Sequence, residues 1–167
     1  MLNLFRGLKK DTAKHADYSD AAIIAMADGD MFSIEQVNDP VFSAKMLGDG
    51  VAFRYDGDKV VLCSPANGVL SILFPTGHAY GIEMKDGTEL LVHVGLDTVN
   101  AKGDGFKLLG RQQGEEIKAG DPVVAVDLKK LSLKYDMSTM LIVTNANKNI
   151  QFIEPCKVVL GQELTIG

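Results

Sequence analysis

The chain has few of the residues that most often carry site chemistry: two cysteines and three histidines among 167 residues. Cys63 and Cys156 stand far apart and form no metal or redox motif. They read as reduced, buried thiols of a cytosolic protein, without a disulfide between them. No apolar stretch approaches the roughly 20 residues that would span a bilayer. The first residues also lack the continuous apolar run and small-residue cleavage site of a signal peptide. Positive charge is short as well: 17 Lys and Arg against 22 Asp and Glu leave a net charge of −5. That balance argues against nucleic acid as a main partner. Zinc-enzyme spacings such as His-x-His or His-Glu-x-x-His are missing, and no low-complexity tract lies beyond the N-terminal region.

What remains is an ordinary globular composition, 46% apolar and 23% charged, long enough to bury one substantial core. The opening "MLNLFRGLKK" interleaves Leu2, Leu4, Phe5 and Leu8 with Arg6, Lys9 and Lys10. It fits either a solvated terminus or an amphipathic helix lying weakly on an anionic membrane surface. "DTAKHADYSDA" reads as a polar linker with His15 exposed, giving a flexible extension over 1–20 and one domain over 21–167. From about Ile23 the texture changes to short runs such as "KVVLCSP", "GVLSILF", "AYGIEM", "ELLVHVGL" and "DPVVAVDL", set between Gly, Asp and Asn turns. This spacing predicts an all-β, antiparallel sandwich or barrel-like domain. Only "PVFSAKML" and "DLKKLSLKY" look able to form a helical turn or two. "GEEIKAGDPV" reads as a tight exposed turn, and "DGDMFSI" faintly echoes "NGVLSI", as two similar hairpin units would.

Two histidines stand fifteen residues apart, His78 in "FPTGHAYG" and His93 in "ELLVHVGL". Asp86-Gly87 between them is a strong two-residue hairpin signal. With those two residues as the turn, Tyr80 lies opposite His93 and His78 opposite Gly95. His78 then shares a face with His93, along with Thr76, Leu91 and Asp97. Gly95, having no side chain, leaves room beside the ring. Neutral imidazole is a nucleophile near pH 7 and can take a phosphoryl group on nitrogen. A second imidazole nearby can stabilise the transferring group, with a threonine hydroxyl fixing its tautomer. Leu91, Val94 and Phe74 can keep water away. The same pair also fits satisfied structural histidines or metal ligands.

The run "CSPANGVLSILFPTGHAYGIEMKDGTELLVHVGLDTVNAKGDGF" resembles the glucose-type enzyme IIA of the bacterial phosphoenolpyruvate-dependent sugar phosphotransferase system. "SP-x-x-G", "T-x-H-A", "LLVHVGLDTV" and "KGDGF" carry the likeness, which extends over roughly residues 23–166 through "VFSAKMLGDG" and "GEEIKAGDPVVAVDL". The resemblance implies an antiparallel β-sandwich in which His93 accepts phosphate from the phosphocarrier HPr and passes it to a cysteine of an enzyme IIB domain. It implies that His78 stabilises the phosphoryl group, that Thr76 orients His78, and that Gly95 and Asp97 support the site. Val41, Phe42, Phe74, Leu91 and Val99 match the apolar docking surface. No cofactor is implied. Zinc shared by His78, His93 and a partner's carboxylate would be regulatory, and regulatory targets beyond the transporter are open. A cytoplasmic monomer is expected, with weak contact at the inner membrane face through residues 1–10.

The likeness is not uniform. "MADGD" lacks the Pro of the family's first turn, Pro40 sits beside the docking residues, and Leu91 stands where an aromatic is common. Partner preference therefore stays open between a glucose-specific protein and one serving several transporters. The rival readings are a biotinyl- or lipoyl-type carrier using Lys85 near a hairpin tip, a zinc-dependent hydrolase using His78, His93 and Asp97, and a non-catalytic interaction protein.

Overall fold

The computed structural model describes residues 16–145 and 149–166. The expected membrane-surface helix over residues 1–10 and the exposed His15 lie outside the described residues. Eleven strands and two short α-helices are present among those described: β1 (Gly29–Ser33), α1 (Pro40–Ser43), β2 (Asp49–Arg54), β3 (Lys59–Cys63), β4 (Gly68–Leu73), β5 (Ala79–Glu83), β6 (Glu89–Val94), β7 (Phe106–Leu108), β8 (Glu116–Ile117), β9 (Pro122–Asp127), α2 (Leu128–Leu131), β10 (Thr139–Val143) and β11 (Lys157–Val158). They form an eight-stranded sheet in the order β11-β1-β2-β10-β6-β5-β4-β8 and a three-stranded sheet β3-β9-β7. The architecture is the antiparallel sandwich expected, and α1 and α2 fall in the two segments read as helical.

Alternation explains how the layers pack. Along β6, Leu90, Val92 and Val94 are buried, whereas Glu89 is exposed and Leu91 and His93 are half-buried. The even-numbered residues join the main core with Phe53, Leu70, Tyr80, Ile82 and Leu141, against Leu62, Val124 and Val126 of the smaller sheet. The Tyr80 hydroxyl donates to the Cys63 carbonyl at 2.8 Å, so its buried polar atom is satisfied by the opposite layer. The odd-numbered residues of β6 point to the other face of the large sheet. A second cluster lies there: Ile34, Val37, Phe42, Ala52, Leu96, Met140 and Ile142, with Leu91 packed against it.

The strand order reads alike from either end, with β1 and β4 each second from an edge. This is where the "DGDMFSI" and "NGVLSI" echo falls. "GEEIKAGDPV" does turn between strands, linking β8 to β9 across the two sheets, but Ala119 and Gly120 in the turn are buried, not exposed as expected. Cys63 is buried as expected, and burial pushes its thiol up to about 12. Cys156 is also free, but it is exposed, contrary to expectation. It lies just before β11, a two-residue strand at the edge of the large sheet.

Candidate functional site

The β5–β6 hairpin differs in register from the sequence reading. Ala79, not Tyr80, pairs with His93, and Glu83 pairs with Glu89. The loop holds three residues, Lys85, Asp86 and Gly87, because the Met84 N–H donates to the Thr88 carbonyl at 2.8 Å and the Gly87 N–H to the Met84 carbonyl at 2.9 Å. Gly87 takes the left-handed position at φ 91°, and Asp86 Oδ1 accepts from the Thr88 N–H at 2.9 Å. An Asp-Gly pair serves this longer loop as well as the two-residue one.

Strict alternation in this register would put His78 and His93 on opposite faces. They meet regardless, with ring centroids 5.4 Å apart and planes at 80°. His78 precedes β5 and follows Gly77 at φ 78°, so its side chain is not bound by the pleat. Its carbonyl still accepts from the Val94 N–H at 2.7 Å, tying it to the end of β6.

Each ring has one nitrogen engaged. His93 Nδ1 lies 2.8 Å from the Gly95 carbonyl oxygen. A carbonyl can only accept, so Nδ1 carries the proton and neutral His93 has its lone pair on Nε2. His78 Nδ1 lies 2.6 Å from Thr76 Oγ1, a hydroxyl that can donate or accept. Burial pushes the His78 ring below its ordinary range, and charge on His93 would lower it further. Burial also lowers His93, opposed by the Gly95 bond and by the charges of Asp39 and Asp97. Both imidazoles are therefore mainly neutral at pH 7.

Two aromatic rings hold the pair. Phe74 stacks on His78 at 5.0 Å and 26°, and Phe42 lies 5.1 Å from His93 at 51°. Phe42 is positioned by α1, whose N-cap is Asp39: Oδ1 accepts from the Val41 N–H at 2.9 Å, with Pro40 in the first turn. This accounts for Pro40 beside the site. Lys45 ties the end of this segment to Glu35 at 3.5 Å and Asp49 at 3.3 Å.

Several expected details need correction. Phe42 is only 5% exposed, so it supports the His93 ring from beneath and is not itself docking surface. Val94 belongs to the inner core and not to the site's surround. Gly95 does not open space beside the ring: at φ 80°, a Cβ on it would overlap Thr98 Cγ2 and meet Met137 Sδ at 3.0 Å. Leu91 is half-buried in the outer cluster, while Val41, Phe74 and Val99 are exposed. Asp97 is exposed in the turn after β6, at φ 60°.

Sequence reasoning did not single out Asp39, Met140 or Ile72. Asp39 carried a legible signal, a capping residue before Pro. Met140 pairs with His93 across β10. Ile72 pairs with Gly81, which pairs with Leu91, and Ile72 is exposed along with Met46 and Leu47 of the α1 segment.

The histidines do not line the broad groove of about 660 Å³ found near the β8 edge, between Asp20, Asn67, Glu83, Lys85, Glu116 and Lys118. His93 itself is half-buried and His78 buried, and the exposed side chains nearby, Val41, Phe74 and Val99, are apolar. Lys85, 81% exposed and 3.5 Å from Asp20, is an ordinary surface ion pair. Among the described residues no three His, Cys, Asp or Glu side chains gather to hold a metal, so a zinc hydrolase would lack its third ligand.

The sandwich thus brings together two mainly neutral imidazoles, His93 half-buried and His78 buried, beside the exposed Val41, Phe74 and Val99. The family model for the phosphoenolpyruvate-dependent sugar phosphotransferase system, EIIA 1, matches residues 21–149, and the chain belongs to this family. It is 39% identical to the glucose-specific EIIA component of Haemophilus influenzae, over 87% of each chain. It is also 39% identical to the glucoside-specific EIICBA component of Staphylococcus carnosus, over 93% of this chain but 22% of that protein. The chain thus spans about a fifth of such longer relatives. The solved glucose permease IIA of Mycoplasma capricolum matches with a TM-score of 0.78 and 35% identity, covering 86% of this chain and 93% of the other. Membership sets aside the biotinyl- and lipoyl-type carrier reading. Among the described residues no helix is long and apolar enough to cross a membrane.

Proposed function

We propose that this chain is the phosphocarrier of a glucose- or glucoside-class transporter, with His93 as its phosphoryl acceptor. The observation that carries this is the Gly95 carbonyl on Nδ1, which leaves the Nε2 lone pair of a neutral ring free to attack. Nε2 attacks the phosphorus of phospho-HPr, and the electron pair of the breaking P–N bond returns to the donor's ring nitrogen. Positive charge developing on the His93 ring is borne at Nδ1–H, where the Gly95 carbonyl accepts a strengthened, charge-assisted bond. In the second half-reaction a cysteine thiolate of an enzyme IIB domain attacks phosphorus, and His93 leaves as the neutral imidazole.

His78 is assigned the role of donor. With the Thr76 hydroxyl donating to Nδ1, the proton of neutral His78 is on Nε2, where it can bond a phosphoryl oxygen. Val41, Phe74 and Val99, with Ile72 beside Leu91, provide apolar surface for both partners. A cytoplasmic location follows from these partners. The test is intact mass after incubation with phosphoenolpyruvate, enzyme I and HPr. One acid-labile phosphoryl group is expected on the native chain and none on His93→Gln. His78→Gln is expected to take phosphate but fail to pass it to a IIB domain. An unmodified native chain, with the HPr proven active on another IIA, would sink the reading.

A further inference from the structure

The turn after β6 contains a buried threonine for which the phosphotransfer roles above have no use. Thr98 has no exposed surface. Its hydroxyl donates to the Val94 carbonyl at 2.5 Å, across the turn that contains Gly95. Its methyl carbon occupies the space a side chain on Gly95 would need. The Gly95 N–H donates to the Ser138 carbonyl at 2.9 Å, and the Leu96 N–H to the Asp136 carbonyl at 2.8 Å. Asp136 Oδ1 in turn accepts from the Ser138 N–H at 2.9 Å and from its hydroxyl at 2.7 Å. The Val94–Gly95 peptide is thus held on its N–H side by Ser138 and on its carbonyl side by the Thr98 hydroxyl, while the next peptide, whose Gly95 carbonyl faces His93 Nδ1, is held through its Leu96 N–H on Asp136.

Such restraint is needed because the turn is intrinsically unfavourable. Gly95 and Asp97 both lie in the left-handed region, at φ 80° and 60°, and Asp97 carries a Cβ there. Released from its hydroxyl and methyl contacts, this stretch has looser backbone geometry available, in which the Gly95 carbonyl swings off Nδ1. The imidazole proton is then free to move to Nε2, the nitrogen that must be bare to react.

We propose that Thr98 is a positioning residue for phosphoryl acceptance: by clamping the turn it keeps the Gly95 carbonyl on His93 Nδ1 and the reactive lone pair on Nε2. This rests on reading His93 as the acceptor. Both halves of the side chain matter, the hydroxyl as the bond to Val94 and the methyl as the packing under Gly95.

The test compares Thr98→Val, Thr98→Ser and Thr98→Ala with the native chain at pH 8, using 15N shifts of both nitrogens of His93. The native ring is expected to show a protonated Nδ1 and a bare Nε2. In Thr98→Val and Thr98→Ala the two shifts should converge, as they do when tautomers exchange, while His78 keeps its native shifts. Phosphoryl acceptance from phospho-HPr should fall at least about tenfold, against the ~10⁴-fold that the wrong tautomer costs a catalytic imidazole. Thr98→Ser, which keeps the hydroxyl but loses the methyl, should recover part of that loss. Should Thr98→Val not fold, the Ser and Ala pair decides the matter. Native His93 shifts in a folded variant lacking the hydroxyl overturn the clamp. A native chain that takes no phosphate overturns the acceptor reading instead, and the nitrogen shifts still report whether Thr98 sets the tautomer.

Discussion

The two faces of the eight-stranded sheet are built from the same strands but packed to different ends. On the inner face Phe53, Leu70, Tyr80, Ile82 and Leu141 have no exposed surface and interlock with the smaller sheet. On the outer face the cluster around Met140 and Ile142 is covered by Ile34, Val37, Phe42 and Leu96 from connecting segments rather than by a second sheet, and His93 is half-buried. Along β6 the division runs residue by residue, with Val92 in the core and His93, the proposed acceptor, on the outer face. A single strand can serve both faces because alternation separates them without lengthening the chain. The outer cluster is small by necessity. A thicker cover would bury the histidine beyond a partner's reach.

The largest expected effect that would test this division is Ile82→Ala on the inner face. It should cost about 3 kcal/mol of stability, as buried Ile-to-Ala changes do. His93 should still accept phosphate wherever the variant remains folded. Urea unfolding alongside the phosphorylation assay separates the two readouts. Comparable loss of both at temperatures where the chain is folded would show that the faces are not independent.

Phe42→Ala should behave in the opposite sense. Its neighbours can relax toward solvent, so the stability cost should be nearer ~2 kcal/mol, below the range for a fully enclosed phenylalanine. Removing the ring that packs on His93 should nevertheless slow phosphoryl acceptance by more than about tenfold, through lost orientation. An undiminished rate in a folded Phe42→Ala chain would mean the outer cluster has no part in orienting the ring.

The smallest effect concerns pH. Both histidines are lowered below their ordinary value, chiefly by burial. The unfolded chain therefore binds more protons between the folded values and about 6.5, and stability rises with pH across that window. Their contribution is fully present above about 6.5 and is lost as pH falls through the folded values. Denaturation midpoints measured from pH 8 down to pH 5 should decline less steeply in His93→Gln than in the native chain. Identical slopes would show that His93 is too well solvated on its open face to be linked to folding.

Much of this was legible in the sequence, though not always for the right reason. Short alternating runs between Gly and Asp turns indicated the sandwich, because a half-buried strand must alternate. Asp86-Gly87 marked the hairpin correctly but left its loop length undetermined, and the register came out one residue away. That slip reverses faces, yet the meeting of His78 and His93 survived it because His78 lies outside the pleat. The roles of Gly95 and Phe42 were harder to read. A glycine's carbonyl direction depends on the dihedral angles of the whole turn, here held by bonds from the Gly95 and Leu96 N–H groups to Ser138 and Asp136, distant in the sequence. Whether Phe42 faces in or out depends on how α1 settles on the sheet, which no local pattern specifies.

The sharing of one apolar rim, Val41, Phe74 and Val99, would have a kinetic consequence for the proposed relay. If donor and acceptor proteins both dock there, they compete for the same ground, and neither can dock until the other has left. Traffic through the carrier is then limited by how quickly each visitor departs. An unusually sticky partner would throttle the relay as effectively as a missing histidine.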